Sequence, residues 1–238
     1  MYNTKLIITE NNIELYKYSK PIKTGTTEIN KHGGGRNGTG DRNRSSTLHK
    51  AKTKLLRIIN SNTWTMMLTL TYREDVEISQ SKKDICSFIK QLRKLYSDYK
   101  YLYVIELTKK LRVHFHMLTD IKESIEDVQA YERYLAEIWS HGFIDVQIVN
   151  NSDIVGYYLS KYFTKDPIDT SCKLYGYSRN CNKPTEITLL DSNNMMETLK
   201  GLGCGESLTL EYTNSYEIEY SKNIVNYFRL KGDAENEV

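Results

Sequence analysis

The run Arg112-Val113-His114-Phe115-His116-Met117-Leu118 constrains this chain more than any other stretch. It is apolar apart from a leading arginine and two histidines one residue apart. A β-strand has a side-chain period of two, so His114 and His116 share one face while Val113, Phe115 and Met117 pack the other. Two imidazoles side by side on a rigid strand make half of a divalent-metal site. The plainer alternative is a pair of ordinary strand histidines. With five His in 238 residues, chance supplies only about 0.1 His-x-His pairs, so the spacing carries information.

Two other stretches give the histidines their context. Downstream, Tyr157-Tyr158-Leu159-Ser160-Lys161-Tyr162-Phe163-Thr164-Lys165 repeats the unit Tyr-x-x-Lys in tandem. On a helix, Tyr158 and Tyr162 stand on one face, as do Lys161 and Lys165. The chain has 19 Tyr, and chance gives about 1.5 pairs at that spacing. The tyrosines alone would therefore read as an aromatic packing stripe, the role assigned to Tyr157. Upstream, Met66-Met67-Leu68-Thr69-Leu70-Thr71-Tyr72 reads as a buried strand.

Taken in order, these three stretches resemble the motifs of rolling-circle replication initiators of the HUH endonuclease superfamily. The tandem tyrosine unit is most similar to the two-tyrosine initiators of small single-stranded DNA phages and related plasmids. The resemblance spans about Thr63 to Lys165. The motif order differs from that of conjugative relaxases, in which the tyrosine usually precedes the histidines. The resemblance implies metal-dependent, site-specific nicking of single-stranded origin DNA. Tyr158 would attack first, leaving a 5′-phosphotyrosine and a free 3′-hydroxyl that primes synthesis, and Tyr162 would attack the regenerated origin. Lys161 and Lys165 would stabilise the phenolate or the phosphate, though solvent-exposed helix cations are an equal reading of these lysines. It also implies Mg or Mn as cofactor, a host helicase and polymerase as partners, and a phage or plasmid setting.

The residue types suit that chemistry. A tyrosine hydroxyl can hold a phosphate covalently and so keep the energy of the broken phosphodiester. Its pKa of about 10 makes the phenol a poor nucleophile at neutral pH, which is why a Lewis acid at the phosphate is needed. Glu106, in Tyr103-Val104-Ile105-Glu106-Leu107, is the expected third metal ligand. Carboxylate plus two imidazoles suits Mg or Mn better than a thiolate site would. Register tests the choice. A two-residue turn at Lys109-Lys110 sets Glu106 opposite Val113, on the wrong face; a three-residue turn, Lys109 to Leu111, sets it opposite His114. The alternative is a glutamate facing solvent or a lysine.

The rest of the chain predicts an α+β fold, a central antiparallel sheet flanked by helices in the manner of a ferredoxin-like or RRM-like palm. Helices are expected over residues 45–60, 80–99 and 125–139, and a strand over 143–149, leading into the tyrosine helix. The histidine hairpin should be central. Domain organisation is expected as a basic flexible arm over 1–44, a catalytic domain over 45–190 and an extension over 191–238. Within the arm, residues 5–8 and 13–16 read as short strands or ordered chain. The glycine-rich segments at 33–40 and 201–205 lack the Gly-Lys-Ser/Thr ending of a phosphate-binding loop, so no ATP-driven helicase is readable. Cys86, Cys172, Cys181 and Cys204 form no Cys-x-x-Cys pair. A zinc site on Cys172, Cys181 and Cys204 would lack a clear fourth ligand. His141, in Ser140-His141-Gly142, reads as a turn residue outside the site.

Charge is uneven. From Lys17 to Arg57 eleven cations face only Glu28 and Asp41, a surplus of nine in a chain whose net charge is +3. Such a segment suits phosphate binding, with a soluble linker as the alternative. Arg36, Arg42, Arg44 and Lys50 are the DNA-binding candidates there. Arg179, beside Tyr175 and Tyr177, is a further one, with the aromatics as stacking surfaces. Neither a signal peptide nor a transmembrane run is read, so a reducing cytoplasm is expected. Two other functions fit the same sequence: a single-strand transposase sharing the chemistry, and a binding-only repressor or origin-recognition protein whose motif residues merely pack.

Overall fold

The computed structural model describes residues 1–23, 40–108, 112–123, 125–149, 155, 156, 158, 159, 161, 174–190, 197, 199, 200, 208–219 and 221–232, with 40–47 and 232 as backbone only. The chain forms two compact units. One is Leu48–Asn182; the other joins Met1–Thr47 to Lys183–Val238.

The unit Leu48–Asn182 is built on the strands β3 (Met66–Tyr72), β4 (Tyr101–Leu107), β5 (Val113–Thr119), β6 (Gly142–Ile148) and β7 (Tyr175–Tyr177). The helix α2 (Ile78–Leu95) joins β3 to β4, and α3 (Val128–Trp139) joins β5 to β6. All pairings are antiparallel and the spatial order is β6-β3-β5-β4-β7. The first four strands thus follow the βαββαβ palm topology, and the histidine strand β5 is the middle one.

Alternation along each strand divides the sheet into two faces. Leu68, Leu70, Ile105, Phe115, Met117, Ile144 and Val146 pack beneath α2 and α3, which contribute Ile85, Phe88, Leu92, Leu135 and Trp139. Asp127 caps α3, its carboxylate accepting from Ala130 N at 3.0 Å. On the opposite face Met67, Leu102, Val104 and Leu118 lie beneath Leu55, Ile58 and Ile59 of α1 (Gly40–Asn60). That helix stops at Asn62, whose buried amide donates to Ile58 O and Asn182 O and accepts from Asn182 N.

The second unit is a five-stranded antiparallel sheet in the order β8-β1-β2-β10-β9, from β1 (Tyr2–Ile8), β2 (Ile13–Ile22), β8 (Thr185–Leu189), β9 (Leu208–Ile218) and β10 (Asn223–Gly232). Leu6, Ile13, Leu15 and Leu199 form its core. Residues 1–23 and 208–232 therefore pair as strands of one sheet, where the sequence suggested a flexible arm and a separate extension. The alternation Leu6-x-Ile8 and Ile13-x-Leu15 carries that signal, but partners some 200 residues apart cannot be read from local pattern. The glycine-rich segment at 33–40 lies almost entirely outside the described residues, as do Cys172 and Cys204. Cys181 is buried, with Sγ 3.2 Å from Ser178 Oγ. Among the described residues no helix is long and apolar enough to cross a membrane.

Candidate active site

Strand pairing brings the predicted donors onto one face. Leu107 pairs with Val113 and Glu106 with His114, and Thr108 N donates to Arg112 O at 3.0 Å. Three residues therefore separate the closing pair, the register that sets Glu106 beside the histidines. On the far side of β5, Thr71 pairs with His114 and Thr69 with His116. The next strand adds Phe143 opposite Thr71 and Asp145 opposite Thr69. Two rows thus cross the sheet side by side: Glu106-His114-Thr71-Phe143 and Val104-His116-Thr69-Asp145.

His116 is held from both sides. Its Nε2 lies 2.8 Å from Glu106 Oε2, and its Nδ1 lies 3.4 Å from Thr69 Oγ1. Both His116 and Glu106 are buried, at 4% and 9% exposure, and His114 is half-buried. A polar pair sealed in this way is costly unless its members satisfy each other. The second partner on Nδ1 fixes the ring's orientation, as in metal-ligating imidazoles. Thr69 was legible only as part of a buried strand; the signal for its role is the period-two threonines in an otherwise apolar run.

The donor set fits a hard divalent cation. Adjacent octahedral ligands about 2.1 Å from an ion sit about 3 Å apart, close to the 2.8 Å between His116 Nε2 and Glu106 Oε2. Among the described residues no three His, Cys, Asp or Glu side chains already converge as a closed site. His114 shares Glu106's register row but is not drawn in as the pair Glu106–His116 is.

Val155, Gly156, Tyr158, Leu159 and Lys161 are helical. Leu159 is fully buried in the cluster with Leu55, Ile59, Met67 and Leu118, on the histidine face of the sheet. A Cβ on Gly156 would come within 3.3 Å of Ile59 Cγ2, so glycine lets this segment approach α1 closely. Tyr158 then stands edge-on to His116, with ring centroids 6.4 Å apart at 87°. It is 37% exposed, and Lys161 Nζ lies 5.9 Å from its ring centre. Two of the four residues predicted on this helix, Tyr158 and Lys161, are thus brought together beside the imidazole pair. Tyr162 and Lys165 lie outside the described residues, as does Tyr157.

Other tyrosines of the unit are unsuited to attack. Burial pushes the Tyr103 hydroxyl up to about 12, and burial raises those of Tyr72 and Tyr99 further still. All three belong to the face beneath α2.

This segment has a known likeness. Residues 65–167 match the family model of the replication-associated proteins of the ORF2 group. The matched segment contains Thr69, Glu106, His114, His116, Tyr158 and Lys161, and the match supports a role in replication initiation. Comparison with curated proteins and with solved structures gives no match.

Several predicted residues fall elsewhere. Lys50 is exposed on α1 and Arg179 exposed in the turn after β7. Arg42 and Arg44 lie on α1, described as backbone only, and Arg36 is outside the described residues. Tyr175 and Tyr177 are half-buried against the cluster beneath α1, with Lys54 Nζ 5.9 Å from the Tyr177 ring centre, so they are packing groups rather than open stacking surfaces. His141 is not the isolated turn residue its sequence suggests. Its ring packs on Trp139 and Tyr72, at 4.9 and 5.7 Å, and its Nε2 lies 3.8 Å from buried Asp84. Asp84 also accepts from the Tyr72 hydroxyl and Gln80 amide, at 2.9 and 2.7 Å.

Proposed function

We propose that this protein starts rolling-circle replication by nicking single-stranded origin DNA through a tyrosine. The observation that carries the reading is Tyr158 packed edge-on to His116 while His116 is hydrogen-bonded to Glu106. That arrangement lies within a segment matching replication-associated proteins. Nucleophile and donor set thus come from separate parts of the sequence and meet on one sheet face.

Glu106, His114 and His116 would hold Mg or Mn, which when bound lends Lewis acidity to the scissile phosphate. Thr69 keeps the His116 ring turned toward Glu106. The Tyr158 oxygen bonds to phosphorus as the bond to the 3′-oxygen breaks, and the proton lost by the phenol is matched by one gained at the leaving oxygen. The product is a 5′-phosphotyrosine and a 3′-hydroxyl able to prime a polymerase. Lys161, one turn from Tyr158, places positive charge where negative charge develops. Tyr162 is proposed to serve the second transfer that closes the circle. Strand separation would fall to a host helicase.

Labelled single-stranded oligonucleotides tiling the DNA around the gene, incubated with Mn and run on a denaturing gel, test this. A covalent adduct whose peptide maps to Tyr158, and which largely disappears in Tyr158→Phe, is the expected result. A mobility shift without covalent product would instead mark a binding protein.

A further inference from the structure

The row that begins with Glu106 and His114 ends, two strands away, in Phe143. At 61% exposure Phe143 is among the most exposed large apolar side chains of the described residues. It is not a stray surface residue in a mobile tip. Its neighbours in the strand, Ile144 and Val146, are buried on the opposite face, and Gly142 before it is pressed against β3. A Cβ on Gly142 would meet Thr71 O at 2.2 Å and Arg73 N at 2.7 Å. The backbone that presents Phe143 is thus pinned. Two strand spacings put the ring about 10 Å from His114, within reach of a nucleotide flanking a phosphate held at the histidines.

The ring has a cationic companion. Arg73, exposed just past the end of β3, sets its guanidinium carbon 5.7 Å from the Phe143 ring centre. A flat apolar surface edged by a guanidinium matches the two parts of a nucleotide, a base with a π-face and a phosphate with negative charge. Gln147 and Asp145, also exposed, continue the same face along β6. A membrane or a protein partner would call for a wider apolar patch than one ring among polar neighbours.

We propose that Phe143 and Arg73 form a stacking subsite for a base of single-stranded DNA next to the scissile position, with Phe143 taking the base and Arg73 its phosphate. The location of the subsite rests on the nicking reading; its ability to bind does not. Recognition by stacking tolerates any base, so the subsite contributes grip and register rather than sequence choice.

The test measures binding of a fluorescent oligothymidylate of about 16 nucleotides by anisotropy, without metal, against an abasic chain of the same length. The wild-type protein should prefer the oligothymidylate. Phe143→Ala should weaken oligothymidylate binding roughly 5- to 150-fold, the range for one lost base–aromatic stack, and should abolish most of the preference over the abasic chain. Phe143→Trp should keep it. Arg73→Gln should weaken both ligands alike and flatten the salt dependence by about 0.7 in logarithmic slope. An unchanged preference in Phe143→Ala, or no preference in the wild-type protein, overturns the proposal. Adduct formation, assayed separately with Mn, reports on the nicking reading, so the two fail independently.

Discussion

The two faces of the sheet β6-β3-β5-β4-β7 differ in what alternate residues of the same strands are asked to do. Beneath α2 and α3, Phe115 meets Trp139, Tyr103 and Tyr72 in tilted and edge-on contacts at 5.8 to 6.4 Å. That face is closed and aromatic, and its tyrosine hydroxyls are held in their neutral form by burial. The opposite face is closed only at one end, where α1 and Leu159 cover Met67, Leu102 and Leu118. At the other end it carries Glu106, His114, His116, Thr69 and the exposed Phe143. One strand, β5, supplies the packing of the first face and the donors of the second, one residue apart. Neighbouring substitutions on it should therefore have opposite consequences.

The largest contrast is expected between Phe115→Ala and His114→Ala. Phe115 is fully buried, and truncation should remove about 3–5 kcal/mol of stability, seen in urea unfolding. His114→Ala should leave the urea midpoint near the wild-type value yet lower adduct formation by more than about a hundredfold. If His114→Ala nicks normally, the division of labour between the faces collapses.

His116 sharpens the comparison because it belongs to both categories. Being buried, it does not open to the surface as the strand pattern alone suggests. His116→Ala leaves Glu106 sealed without that partner, so about 1–3 kcal/mol of stability should go along with the adduct. Adding Glu106→Ala should recover part of the stability and none of the activity, a pattern that thermal melting and the gel assay read together.

The smallest effect concerns the closed face at high pH. Burial, helped by the Asp84 carboxylate, raises the Tyr72 hydroxyl above its ordinary value of about 10. Above that pH the unfolded chain gives up a proton that the folded chain retains. Stability present below about pH 10 should thus decline as pH rises, by up to about 1.4 kcal/mol per pH unit for this group. Tyr72→Phe should flatten the decline, measured as urea midpoints on either side of pH 10. An equally steep decline in the variant would remove Tyr72 from the account.

The palm was legible because its signals are local. The apolar runs around Leu68, Val104 and Phe115 and the stripe of α2 each declare their element. The three residues between Thr108 and Arg112 then fix the register once β4 and β5 pair. Thr69, Phe143 and Arg73 were missed because each matters through a neighbour on another strand. Phe143 reads as one more core residue until Ile144 and Val146 are seen to take the core. His141 was misread because Asp84 lies 57 residues earlier, on α2. The second unit was hidden for the same reason: β2 pairs with β10 across almost the whole chain.

The middle position of β5 has a consequence for endurance. With β3 on one side and β4 on the other, its amides have partners in both directions. They should be among the last in this unit to exchange hydrogen for deuterium, while those of the sheet's outer strands β6 and β7 exchange sooner. Fraying at either margin would leave the imidazole and carboxylate pair assembled. The donors should last as long as the fold does.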